Sequence, residues 1–155
     1  MGILTEYFAA PTDEAAATVL SAPGGPSAPD RTAGGPRFDT VELPSVDPFV
    51  MLGTLAEMLC GLPYGEITAN PRHGALVGSG GDEGPWVVTV SEVLTADLAA
   101  SQPNRLAEMV RAWTRTHAVN APPHRLVAGM VALSALASRA VVNRESLYCW
   151  TCLSD

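Results

Sequence analysis

A chain of 155 residues is long enough to bury a core of its own and short enough to form one domain. Sixteen acids against nine cationic side chains leave a net charge of −7, which argues against nucleic acid and anionic membrane as main partners. Three cysteines, an odd number without framework spacing, point to a reducing cytoplasm and away from a disulfide scaffold.

The start, Met1-Gly2-Ile3-Leu4-Thr5-Glu6-Tyr7-Phe8, has no basic region and does not read as a signal peptide. Glu6 also stands where an acylation signal needs Ser or Thr. Its apolar residues predict a strand or extended segment over 1–9. Pro11-Thr12-Asp13-Glu14 then opens a helix, with a Thr cap, acids in the first turn and an alanine run to about Leu20. Residues 22–37 are rich in Pro and Gly without hydrophobic period, which predicts a flexible loop inside the domain. Phe38 to Leu43 alternates apolar and polar residues, a half-buried strand by period.

Asp47-Pro48 starts the next helix, which runs through Phe49, Leu52, Leu55, Ala56 and Leu59 and stops at Gly61. Its remaining faces carry Val50, Met51, Thr54 and Met58, so it is apolar nearly all round and points to a central or interface position. The glycine-rich stretch 62–84 holds one short possible strand, Ala75-Leu76-Val77, and Trp86 to Val90 is a clear strand. Ser91-Glu92 caps a helix over Val93, Leu94 and Leu98. Pro103 to Thr116 is amphipathic, with Leu106, Met109, Val110 and Trp113 on one side and Arg105, Glu108, Arg111 and Arg115 on the other. Pro122-Pro123 begins the last helix, to about Val142, whose weakly polar run from Leu126 to Ala137 is too short to span a bilayer.

The chain closes with Ser146-Leu147-Tyr148-Cys149-Trp150-Thr151-Cys152-Leu153-Ser154. Cys149 and Cys152 are three apart, so in an extended strand they point to opposite faces and cannot grip one ion or each other. A turn at Trp150-Thr151 would bring the thiols together, as in zinc or redox motifs, but Trp and Thr favour strands. A terminal strand is therefore expected, with Tyr148, Trp150 and Cys152 on one face and Leu147, Cys149, Thr151 and Leu153 on the other. The elements together predict a single α+β domain, a small mixed or antiparallel sheet packed by about five helices.

Val46-Asp47-Pro48, Leu52-Gly53-Thr54-Leu55 and Leu59-Cys60-Gly61 resemble the aspartate-led helix of the YfbM-like family. The Met-Gly start, the Trp-Val-Val strand and the terminal Leu-Tyr-Cys-Trp strand also fit, more closely still a group of small actinobacterial proteins. Cys60 stands where that pattern has Thr, and Trp113 to Ala118 departs from a more acidic tract. The resemblance implies a fold and assigns no activity.

Charge is uneven along the chain: residues 1–100 hold three Arg against thirteen acids, and residues 101–155 six Arg against three acids. The basic part can face the acidic part of the same molecule or an acidic partner. Cys60, Cys149 and Cys152 with His73, His117 or His124 have the donors for a Cys3His zinc site, but free cysteines at the end of an apolar helix and in a strand fit simple packing better. No metal and no cofactor is expected. His73 and His124, beside Arg72 and Arg125, read as exposed polar pairs. Gly78-Ser79-Gly80-Gly81 matches neither a nucleophile elbow nor a phosphate loop.

Two functions follow. The first is a non-enzymatic binding module, regulatory or immunity-type, whose protein partner or second copy covers Val50, Met51 and Met58. The second is a small enzyme or small-molecule-binding protein, with Trp86, Trp113, Tyr148 and Trp150 as pocket walls, Arg115 as anion contact and His117 as acid/base.

Overall fold

The computed structural model describes residues 2–21, 24–28, 38–43, 46–117 and 121–154. Strand β1 (Gly2–Ala10) leads into helix α1 (Asp13–Ala17), which tightens into a 3₁₀ turn over Thr18–Ser21. Thr12 caps α1, its Oγ1 accepting the Ala15 N–H at 3.0 Å. A short strand, β2 (Thr40–Glu42), occupies half of the span expected from alternation. Most of the 22–37 loop lies outside the described residues.

Helix α2 (Val50–Cys60) starts on the Asp47 carboxylate, which accepts N–H groups of Phe49, Val50 and Met51 at 3.0, 2.7 and 3.0 Å. It ends at Gly61, whose φ of 68° is the left-handed conformation glycine adopts without strain. A second helix, α3 (Tyr64–Ala69), follows where only loop and strand were expected. Strands β3 (Leu76–Ser79) and β4 (Trp86–Thr89) come next. Then come α4 (Glu92–Ala100), α5 (Pro103–Thr116) and α6 (Pro123–Val142), and the chain ends in β5 (Ser146–Ser154).

All pairings in the five-stranded sheet are antiparallel, in the order β2-β1-β5-β4-β3. The terminal strand is thus an inner one, paired with β1 from Gly2↔Ser154 to Ala10↔Ser146. Pleating sends Tyr7, Ala9, Leu147 and Cys149 into the main core, with Leu52, Leu55, Leu94, Val110, Trp113 and Leu133 from the helices. Phe8, Ala10, Tyr148, Trp150 and Val87 face the other way, into a smaller core closed by Ala16 and Val19. The result is one α+β domain with the sheet between two unequal layers.

Among the described residues, six helices stand where about five were expected. Helix α6, at 20 residues, is long and apolar enough to cross a bilayer by length and composition, contrary to the shorter run read from the sequence. Here Leu126, Met130, Leu133, Leu136, Ala137 and Ala140 are buried in the core. Gly129 of α6 lies under Leu43, where a Cβ would collide with the leucine side chain.

Candidate functional site

Asp47 accepts the Phe49 and Val50 amides and so fixes where α2 begins. The apolar stripe at i, i+3 and i+4 spacing then takes Leu52, Leu55 and Ala56 into the core. Phe49, expected on the buried stripe, is instead 43 % exposed, Val50 is 53 % exposed and Met58 37 %. Leu62, just past the Gly61 cap, adds a fourth apolar side chain at 37 %. Met51 is half-buried and packs against the core, so only two of the three expected interface residues point outward. Acids flank this ridge: Glu57 and Glu66 are exposed, and neither α2 nor α3 carries a cationic residue.

Thr54, on the same helix, fixes α2 to α5. The Trp113 Nε1–H donates to its Oγ1 at 2.9 Å, and the same hydroxyl donates to the Met51 carbonyl at 2.9 Å. His73 is a second anchor. Expected as an exposed partner of Arg72, it is buried, its Nε2–H donating to the Phe49 carbonyl at 2.8 Å with the two rings 4.9 Å apart. Space for it comes from Gly53, where a Cβ would lie 2.9 Å from the Tyr64 ring and 3.2 Å from His73 Nε2.

The aromatic residues expected to line one pocket are separated by the sheet. Trp113 is buried beneath α5 on the helical side, whereas Tyr148 and Trp150 lie on the opposite face. Val87 pairs with Trp150 and shares its face, so its neighbour Trp86 points to the other side, where it packs over Gly84. Trp150 lies under Gly25, and among the described residues its buried Nε1–H has no hydrogen-bond acceptor. The Tyr148 hydroxyl donates to Asp13 at 2.7 Å, and Asp13 also takes a two-pronged ion pair from Arg72 at 2.8 and 2.9 Å. The Arg72 guanidinium, then the tyrosine, hold the Asp13 carboxyl down to about 2. Burial, then the bond to Asp13, pushes Tyr148 up to about 12. This triad ties α1 to the sheet and uses up its own polar groups.

His117 caps the end of α5, half-buried, its Nδ1 within 2.9 Å of the Thr116 hydroxyl and 3.2 Å of the Trp113 carbonyl. Arg115, two residues earlier, is exposed. None of the cysteines accompanies His117. Burial pushes the Cys149 thiol up to about 12, and burial with the hydrogen bond to Asp97 does the same for Cys60. Both stay protonated at neutral pH, the unreactive form. Cys152 lies on the opposite face from Cys149, as strand parity requires. Among the described residues, no three side chains of metal-ligating type converge.

Among the described residues, charge compensation between the two parts of the chain reduces to one ion pair, Arg139 with Asp39 at 2.6 Å. Arg105, Arg111 and Arg115 on α5 make no ion pair among the described residues. Comparison of the chain with protein-family models, curated proteins and solved structures finds no match.

Proposed function

We propose that this chain is a non-enzymatic protein-binding module, regulatory or immunity-type, whose partner seats on the exposed ridge of α2. One observation carries the reading: Val50 and Met58 stand in water on the outer side of α2, with Phe49 and Leu62 exposed just beyond its two ends, while Leu52, Leu55 and Ala56 are packed. Single exposed leucines are ordinary, whereas several large apolar side chains left in water around one short helix suit an interaction site.

Covering the exposed part of each of these four side chains is worth about 1 kcal/mol. The sum, about 4 kcal/mol, only reaches the low end of the association cost of roughly 4–15 kcal/mol. The partner therefore also engages the rim, where Glu57 and Glu66 call for basic groups. A second copy is a poor fit, because twofold pairing of this face would oppose acid to acid in a chain of net charge −7.

The test compares the parent with a Val50→Asp/Met58→Asp double variant. Both positions are exposed, so the variant should fold normally. The parent is expected to retain a partner protein that the variant releases, with the complex weakening as salt rises. If both forms retain the same proteins, and light scattering gives a monomer for both at every concentration, the module reading fails.

A further inference from the structure

The turn between α4 and α5 encloses a second feature. A cleft of about 220 Å³ opens there, lined by Leu59, Asp97, Ser101, Arg105, Leu106 and Met109 among others. That is smaller than the roughly 300–1,000 Å³ of pockets for drug-sized molecules, so it suits a ligand of few atoms. Its walls differ in character. Leu106 is buried, and Leu59 and Met109 are half-buried beside it. Asp97 and Arg105 bring opposite charges to the same space, yet neither forms an ion pair among the described residues.

The corner is held in shape locally. The Ser101 hydroxyl donates to the Asp97 carbonyl at 2.7 Å, bracing the turn. Helix α5 begins here without a side-chain cap and without an acid in its first turn, so the positive end of its dipole adds to the pull of Arg105 on an anion.

These groups select among ligand classes. A simple cation meets Asp97 but also Arg105, and a simple anion meets the reverse, so each is attracted and repelled at once. An apolar molecule would strip water from two charges without replacing it. A molecule carrying both charges with an apolar tail satisfies every wall.

We propose that this corner cleft binds a small zwitterion with an apolar tail, an apolar α-amino acid being the simplest. Asp97 receives the ammonium, Arg105 and the start of α5 receive the carboxylate, and Leu59, Leu106 and Met109 hold the tail. For so small a ligand the Kd falls on the order of micromolar to millimolar.

Isothermal titration of the whole chain with L-leucine and L-methionine tests this directly. 4-Methylpentanoate, which lacks the ammonium, and isopentylamine, which lacks the carboxylate, serve as probes of each charge. Saturable binding of at least one amino acid is expected, with each analogue weaker by about tenfold or more. Asp97→Asn and Arg105→Gln should each cause a similar loss while keeping the thermal midpoint of the parent. Should Asp97→Asn fail to fold, Arg105→Gln, on an exposed side chain, decides alone. Absence of binding by both amino acids, equal binding of the analogues, or full affinity in the folded variants would overturn the proposal.

Discussion

Replacing Thr54 by Val removes one hydroxyl while keeping the shape of the side chain, and it should destabilise the domain out of proportion to its size. In the native chain that hydroxyl is the acceptor for the buried Trp113 indole N–H at 2.9 Å. Valine leaves the donor unpaired, which costs about 1–3 kcal/mol. The loss of the bond from Thr54 to the Met51 carbonyl adds little, since that carbonyl belongs to the helix. With an unfolding entropy of roughly 2.1 cal/mol/K per residue, a chain of 155 residues changes its midpoint by about 3 °C for each kcal/mol. The expected drop is thus about 3–9 °C by differential scanning calorimetry. Thr54→Ser keeps the acceptor and should stay within about 3 °C of the parent. Equal midpoints for the valine and serine variants would refute the idea that this hydrogen bond locks α2 to α5.

Asp13 has a folded-state pKa of about 2, below its ordinary value, so its contribution is present above about pH 4 and is lost as pH falls towards 2. Side chains of the Asp13–Arg72 pair are 43 and 37 % exposed, which limits the contribution to about 0.5–1 kcal/mol after screening. Asp13→Asn should flatten the acid limb of the stability curve by that amount; an unchanged acid limb would contradict it. Deleting residues 146–155 should abolish soluble folding, because an inner strand and two aromatics leave with it; a soluble product with the parental midpoint would refute the sheet order. Cys149, buried and held near 12, should resist iodoacetamide at neutral pH until the chain is unfolded, as mass spectrometry of labelled peptides can check. Early labelling at Cys149 would show that the core admits reagent.

Helix limits were legible where the signal is local. Asp47, Ser91, Pro103 and Pro123 each mark a helix start by capping or by a fixed φ, and strand parity at Cys149 and Cys152 separated the two thiols correctly. Helix α3 escaped because it is six residues long, contains Gly65 and is fastened by the long-range bond from the Tyr64 N–H to Glu57 at 3.0 Å. His73 beside Arg72 looked exposed, since nothing nearby in the sequence reveals that Gly53 makes room for its ring. The proposed aromatic pocket failed to assemble for a related reason. Which face each tryptophan takes depends on the register of β4 against β5, a pairing between segments some sixty residues apart. The outer side of α2 was half visible: composition gave Val50 and Met58, while the exposure of Phe49 depends on its seat against His73 and Gly74, a contact made in three dimensions.

The pairing of β1 with β5 also governs the order in which the molecule can be made. Ala10 and Ser146 are neighbours in the sheet but 136 residues apart along the chain. Closing so long a loop costs about 2 kcal/mol more than closing one a tenth as long. The α5–α6 hairpin can form as soon as it is synthesised, whereas the middle of the sheet must wait for the final strand. Until then Tyr7 and Phe8, both fully buried in the finished domain, have only the three-residue β2 beside them and one edge of β1 stays open. A nascent chain paused before residue 146 therefore presents the greasy first strand to its surroundings, and holding that strand apart from other chains becomes the task of whatever accompanies it on the ribosome.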